Sequence, residues 1–495
     1  MKPAGQNTGE RDEKRKVFLM EKNYLRKTKI VCTLGPSTDS EETLTALINA
    51  GMNVGRFNFS HGEHKEQEDR LALLKKVREQ MQAPIAAMLD TKGPEIRLCL
   101  FKEGKVVLEE GQEFTLTTRE IMGDQHQVQI SYDNLPNDVS KGTHILIDDG
   151  LIDMVVESVD ETDIHCTVLN GGKISDRKGV NVPNADLSMP YISPKDRKDI
   201  IFGVEHDFDF IAASFVRTAE DVQAIRSLLH EYGGDQIQII SKIENNQGIQ
   251  NIDAIIRASD GIMVARGDMG VEIPLEEVPA LQKMIIKKTY QAGKIVITAT
   301  QMLDSMISHP RPTRAEATDV ANAIYDGTSA IMLSGETAMG AYPVEAVTVM
   351  DRIARRTEQD INYSSRLRER KISRHDNVTD AVSHSACMMA ADLEASEIMT
   401  VTMSGRTAHM VSKYRPSAPI IAGCPKEKVW RQMSLCWGVS AVHIEEKDEA
   451  EALFAHAVQC AKDAKLVSEG DQVILTAGLP LGMSGTTNLI RVIMA

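Results

Sequence analysis

The 495-residue sequence has no continuous apolar run approaching the roughly 20 residues that a bilayer-spanning helix needs, so no membrane association is expected. Its first residues, MKPAGQNTGERDEKRKVFLMEKNYLRK, are basic but lack the apolar middle and small-residue cleavage site of a secretory signal. They read as a solvated, partly ordered extension over 1–23. Cysteine is sparse as well. The seven, at positions 32, 99, 166, 387, 424, 436 and 460, form no Cys-x-x-Cys pair and no His-Cys cluster. That argues against a zinc site and for buried free thiols in a reducing, cytoplasmic compartment. Nor is there an excess of positive charge. With 56 Lys and Arg against 71 Asp and Glu, the formal net charge of −15 has the wrong sign for a nucleic-acid partner, although local basic pockets for small anions stay open.

The chain does contain a long alternation of short β-rich runs with helical patterns, the mark of parallel strands joined by helices. Its length allows about three domains. Strands are predicted at 28–34, 53–59 and 84–89, with helices at 40–50 and 64–80 between them. Over 94–183 the helical period vanishes and strand-like pieces at 113–118, 144–147 and 164–169 alternate with Gly and Asp-Asp-Gly turns, which predicts an inserted small β-barrel domain. The alternation then resumes with strands at 208–216, 237–243, 261–265, 295–299 and 329–333. Three and five make eight, the count of a closed (β/α)8 barrel, here spanning 24–93 and 184–360. A charged stretch, Arg366-Leu-Arg-Glu-Arg-Lys371, reads as a linker. Beyond it, strands at 398–403, 419–423, 439–444, 472–476 and 488–493 predict an open-sheet α/β domain over 361–495.

In such a barrel the chemistry sits at the carboxyl ends of the strands, and this chain places polar residues at six of them. They are Arg56-Phe-Asn58-Phe-Ser60-His61, Asp90-Thr91-Lys92, Ser241-Lys242-Ile-Glu244, Arg266-Gly267-Asp268, Thr298-Ala-Thr300-Gln301 and Ser334-Gly-Glu336. Lys242 and Glu244 lie on one side of their strand, so a plain ion pair is open to them; yet burying two charges in a pair brings little net gain, and separate partners explain them better. Glu244 and Asp268, read as lying on adjacent strands, suit a hard divalent cation, with Lys242 as a compact positive charge facing the same substrate. The glycines around Asp268 expose amides at a helix start, an anion site for a carboxylate or phosphate. Arg56 offers a guanidinium fork for phosphate. Asn58, Ser60 and Asp90 could bind a second, less charged cation or simply hydrogen-bond each other. The set suits a phosphorylated, carboxylate-bearing substrate passing through an enolate.

These motifs, with Leu89-Asp-Thr-Lys-Gly-Pro-Glu-Ile-Arg97, His309-Pro-Arg-Pro-Thr-Arg-Ala-Glu316 and Met332-Leu-Ser-Gly-Glu-Thr337, resemble those of the pyruvate kinases from about Arg26 to the C-terminus. The resemblance implies phosphoryl transfer from phosphoenolpyruvate to ADP, giving pyruvate and ATP at the last step of glycolysis, with the inserted domain acting as a lid. It implies Mg2+ or Mn2+ on Glu244 and Asp268, and Lys242 facing the transferring phosphoryl group and the enolate oxygen. Arg56 would bind the phosphate, while the amides of Gly267 and Asp268 with the Thr300 hydroxyl would hold the substrate carboxylate. Asn58, Ser60, Asp90 and the Thr91 carbonyl would form a K+ site, in keeping with Glu95, which stands where potassium-independent members carry lysine. His61, Arg97 and Lys178 would line the nucleotide side. A homotetramer is the family's usual assembly. The segment Thr402-Met-Ser404-Gly405-Arg406-Thr407 has the hydroxyls and glycine of a phosphate cradle, or of an ordinary capped turn, over which Gly478 to Asn488 could close. In the resemblance it is the site of a phosphorylated allosteric effector. Met403 occupies the position of a lysine in animal enzymes activated by fructose-1,6-bisphosphate, which speaks against that effector; the segment Gly478 to Asn488 resembles bacterial enzymes, in which a sugar monophosphate or AMP is an equal alternative. The extra phosphohistidine-type domain of some bacterial members is not expected. A barrel lyase acting on a pyruvate enolate would share the metal site but needs no nucleotide, and Arg97 and Lys178 speak against it. A sensor that kept only the fold would have lost charged catalytic positions, and all are present.

Overall fold

Eight parallel strands close into a barrel in the order first, eighth, seventh, sixth, fifth, fourth, third, second. The computed structural model describes residues 26–370, 377–481 and 486–495; the expected extension over 1–23, Lys371 of the expected linker and Ser484 of the expected closing segment lie outside the described residues. In chain order the barrel strands are Lys29–Thr33, Val54–Asn58, Ala86–Asp90, Phe210–Ala213, Gln238–Ile243, Gly261–Ala265, Ile295–Ala299 and Ala330–Leu333. Both faces of every strand are covered, which is why each reads as a nearly unbroken apolar run rather than an alternating one. Alternation decides which side chain goes where. Val31, Val54, Met88, Phe210, Ala212, Ile240, Met263 and Met332 fill the barrel's interior, while their neighbours Ile30, Phe57, Leu89, Ile211 and Ile239 pack outward against the helices.

The inserted region forms a seven-stranded sheet whose hydrogen-bonded order starts at Ile96–Arg97 and Gly179–Asn181 and ends at Gln127–Gln129. Its two edges meet through the Leu98–Ile130 bridge, with Cys99 N donating to Gln129 O at 2.7 Å and Ser131 N to Arg97 O at 2.9 Å, so the sheet curls shut as the predicted small barrel. Phe114, Leu116, Ile145, Ile152 and Val168 fill it.

In the C-terminal region the strands Glu397–Val401, Ile420–Cys424, Val439–His443 and Gln472–Gly478 are parallel, and Thr487–Met494 adds an antiparallel edge. The charged stretch read as a linker is helical instead, over Tyr363–Glu369. Asn362 caps it through Ser365 N, and Tyr363 and Leu367, one turn apart, are buried, the former in the barrel's outer core and the latter in the C-terminal core. Leu435 from the C-terminal region plugs the floor of the barrel among Phe210 and Met332.

Beside it, Arg431 donates from Nε to Asp209 at 2.8 Å and from Nη2 to Asp207 at 2.6 Å. Asp209 is fully buried at the start of the fourth strand and also accepts from Ala87 N on the third. Replacing Arg431 by alanine leaves this carboxylate buried without its principal cation. Chemical denaturation is expected to show a loss of about 3 kcal/mol; an unchanged midpoint would mean that the contact contributes nothing.

Candidate active site

The inward-facing rows that fill the barrel continue past its last apolar layer into charge. Arg56 follows Val54, Asp90 follows Met88, and Lys242 and Glu244 follow Ile240 at the same period of two. The outward-facing polar residues at these strand ends are structural: Ser241 Oγ lies 2.6 Å from Ser259 Oγ, and Thr298 Oγ1 donates to Thr328 Oγ1 at 2.9 Å. Glu336 is also structural, accepting from Leu303 N at 3.0 Å and Ser334 N at 2.7 Å.

Asp90 is the hub of the cluster. Its Oδ2 accepts from Arg56 Nε at 2.6 Å and its Oδ1 from Lys242 Nζ at 3.2 Å. Burial would raise its carboxyl, but the two cations outweigh burial and hold it below the ordinary carboxylate range. Arg56 Nη1 donates to Thr33 Oγ1 at 2.9 Å, while Nη2 has no protein acceptor among the described residues. Lys242 is 9% exposed; burial alone would lower its ammonium, yet Asp90 and Glu244 hold it above its ordinary value.

Lys242 Nζ and Glu244 Oε1 are 3.0 Å apart, so the two charges read as having separate partners do meet. The contact lacks hydrogen-bond geometry, and Oε1 is a buried acceptor with no donor among the described residues. Only Oε2 is satisfied, by Phe215 N at 2.6 Å. Burial pushes the Glu244 carboxyl up to about 8, with the like charge of Asp268 adding to it and Lys242 opposing. A buried, unsatisfied carboxylate oxygen in the field of a second carboxylate suits a hard divalent cation.

Asp268 reaches this place by a different route from the one expected. The sixth strand stops at Ala265 and a helix, Arg266–Glu272, starts at once, so Asp268 sits on a first helical turn and not on a strand adjacent to Glu244. Gly267 N, expected to be open for a carboxylate, donates to Thr300 Oγ1 at 2.7 Å, and that hydroxyl donates to Ala299 O at 2.6 Å. The helix begins with no intervening loop, which aims its first amides directly at Thr300. Thr300 and Gln301 both have left-handed backbone conformations, φ 69° and 54°. Arg266 holds that turn, donating to Ala299 O at 3.3 Å and Thr300 O at 2.8 Å while anchored on Asp319 at 2.7 Å.

Asn58 and Ser60 meet through Ser60 N, which donates to Asn58 Oδ1 at 3.0 Å. The Thr91 carbonyl accepts from Ser214 Oγ at 2.7 Å. Ser214 was missed in the sequence. It lies one residue past the end of the fourth strand, accepts from Lys242 Nζ at 2.7 Å and sits 3.2 Å from Asp90 Oδ1.

Between the small barrel and this mouth runs a cleft of about 620 Å3 lined by His61, Arg97, Lys178, Asp149, Asp268 and Glu272 among others. Arg97 ends the strand Ile96–Arg97 and Lys178 immediately precedes its partner strand Gly179–Asn181; Lys178 Nζ rests on Asp148 at 2.7 Å and Arg97 Nε on Glu95 at 2.7 Å. Burial and the nearby Asp268 raise the Asp149 carboxyl. Far from the mouth, Thr402, Ser404, Arg406 and Thr407 line a second pocket of about 290 Å3 with Lys447 and Thr487. Gly405, with φ 80°, begins the helix Arg406–Ser412, and Thr407 Oγ1 lies 2.8 Å from Thr487 Oγ1, joining the two segments that were expected to face each other.

Known proteins with this arrangement are numerous. Residues 25–347 match the family model described as pyruvate kinase, barrel domain, and residues 380–493 match pyruvate kinase, alpha/beta domain. The chain is 53% identical to the pyruvate kinase of Clostridium acetobutylicum over 469 residues, covering 94% of this chain and 99% of that one. With the pyruvate kinase of Geobacillus stearothermophilus the identity is 51%, over 94% of this chain and 80% of the other. The crystal structure of a pyruvate kinase from Cryptosporidium parvum superposes with a TM-score of 0.90 at 40% identity, covering 96% of this chain and 97% of that one. Barrel, charged mouth and similarity along nearly the whole length lead to one conclusion: the chain belongs to the pyruvate kinase family.

Proposed function

We propose that the barrel mouth is where this chain carries out its family's reaction, transfer of a phosphoryl group from phosphoenolpyruvate to ADP to give pyruvate and ATP. The observation that carries the assignment is Glu244, a buried carboxylate with one unsatisfied oxygen, beside Lys242 and in the field of Asp268. Glu244 and Asp268 would hold Mg2+ or Mn2+, which supplies charge neutralisation at the phosphoryl and enolate oxygens when bound. Lys242 would stabilise the transferring group from the opposite side, and the free edge of Arg56 would bind the phosphate. Because Asp90 keeps hold of both cations, they are positioned before substrate arrives and need little reorganisation. For the substrate carboxylate to be held by Gly267, Asp268 and Thr300, the bond from Gly267 N to the Thr300 hydroxyl must open to free the amide, and the hydroxyl must turn its hydrogen away from Ala299 O to donate as well.

Asn58, Ser60, Asp90 and the Thr91 carbonyl supply neutral oxygens and one carboxylate, a set that suits K+. His61, Arg97 and Lys178 line the cleft into which a nucleotide would enter, with the small barrel as its lid. The second pocket, lined by Thr402, Ser404, Arg406 and Thr407, with Gly405 in the same turn, would take a phosphorylated effector. A cytoplasmic homotetramer is the assembly proposed. Initial rates of pyruvate formation with K+ replaced by a large organic cation, then with a panel of sugar monophosphates and AMP, test these sites. Equal rates in both salts would contradict the K+ site, and no response to the panel would contradict the effector site.

The raised Glu244 carboxyl adds a pH dependence. With its carboxyl pushed up to about 8 by burial, Glu244 keeps its proton to higher pH than an ordinary carboxyl, and a divalent cation would have to displace that proton. Affinity for Mn2+ is expected to rise by about tenfold per pH unit up to that value and then level off, as for any one-proton competition. Calorimetry in buffers of different ionisation enthalpy measures the proton released; a pH-independent affinity between 6 and 8, taken as approximate bounds of that range, would contradict the assignment.

A further inference from the structure

The chain crosses between the large barrel and the lid twice, at Thr91–Gly93 and again at 182–193, and both crossings converge on Ser214. On the outgoing side, Ser214 Oγ donates to Thr91 O at 2.7 Å, and Gly93 lies so close that a Cβ there would come within 2.8 Å of the Ser214 Cβ. On the return side, Tyr191 Oη donates to Ser214 O at 3.0 Å.

The return segment is gripped alternately by the two bodies. Leu187 O and Met189 O each accept from Arg217 of the large barrel at 3.1 Å, and Arg217 is fixed by Asp221. Ser188, between them, belongs to the lid: its N and Oγ donate to Asp138 at 2.9 Å, and Asn134 Nδ2 donates to its Oγ at 2.6 Å. Any rotation of the lid therefore pulls on 187–189 and is transmitted to Tyr191, whose ring lies 5.9 Å from the Arg217 guanidinium. Ser214 Oγ in turn accepts from Lys242 Nζ at 2.7 Å, the shortest contact that ammonium makes.

We propose that Tyr191 and Ser214 are positioning residues that tie both lid crossings to the Lys242 ammonium, so that lid position and the placing of the reacting charge are set together. The inference rests on the roles given to Lys242 and the lid under the proposed function. A displacement of about 1 Å in a reacting group can cost about 100-fold in rate, so one hydrogen bond at the hinge is enough to gate the reaction.

A double-mutant cycle tests it, with kcat and the KM for phosphoenolpyruvate measured on the full chain. Tyr191→Phe is expected to lower kcat by about tenfold, the ratio carried by one net hydrogen bond, and to move KM less than about twofold. Ser214→Ala is expected to lower kcat by about 100-fold. If Tyr191 acts through Ser214, adding Tyr191→Phe to Ser214→Ala lowers kcat by no more than about twofold further. A full additional factor of ten, or a Tyr191→Phe change that appears in KM and leaves kcat intact, would overturn the proposal. Should Ser214→Ala fail to fold, the split between kcat and KM in Tyr191→Phe decides alone. Lys242→Met, assayed in parallel, separates the two levels: near-normal turnover removes the role of Lys242 and this inference with it, whereas an inactive Lys242→Met beside an additive cycle overturns only the hinge coupling.

Discussion

Lys242→Met should lower turnover by about 10^3- to 10^5-fold, the range associated with removing a single cation from a transferring phosphoryl group, while the affinity for phosphoenolpyruvate falls far less. The substitution keeps the stem and its volume, so the barrel's interior packing is preserved. Two buried carboxylates then lose their shared cation, since Asp90 and Glu244 both lie within 3.2 Å of Nζ. Arg56 remains on Asp90, which limits the structural damage to that side. Single-turnover kinetics check the expectation by separating binding from chemistry. A variant with near-normal turnover would remove Lys242 from the mechanism.

Glu244→Gln should weaken Mn2+ binding by about 100-fold or more, because the change removes the charge of a primary ligand where even outer partners are worth about 10- to 100-fold. The amide is isosteric, and Phe215 N can still donate to its oxygen as it does to Oε2. The amide is neutral, as the Glu244 carboxyl is when protonated, so the variant should fold normally while binding metal poorly. Titration followed by the paramagnetic resonance of free Mn2+ reads the affinity directly, and equal affinity in the variant would place the cation elsewhere.

Much of this was legible in the sequence because the barrel strands are buried on both faces and bounded by glycine and acidic residues, which makes them short, dense apolar runs. Lys242, Glu244, Arg56 and Asp90 stood out as charges at the ends of such runs. Ser214 did not, because the predicted strand ran from 208 to 216 and made it an interior residue; the strand ends at Ala213, and a serine gives no hydropathy signal to mark that end. Asp268 and Gly267 were visible, but their geometry was not, since nothing local reveals that the helix starts without a loop. The same holds for the Lys242–Glu244 contact: period two places both side chains on one face, but their 3.0 Å separation depends on the side-chain conformations. The helix at Tyr363–Glu369 was hidden by its charged surface, because the two residues that bury it, Tyr363 and Leu367, are secured by cores from different parts of the chain.

The most direct test of the barrel mouth as a metal-dependent phosphoryl-transfer site is to quantify pyruvate and ATP formed from phosphoenolpyruvate by the purified chain, with and without ADP and with divalent cations chelated or supplied. Pyruvate and ATP are expected in equal amounts, only when ADP and Mg2+ or Mn2+ are both present. Pyruvate formed without ADP, or at an undiminished rate under chelation, would contradict the assignment.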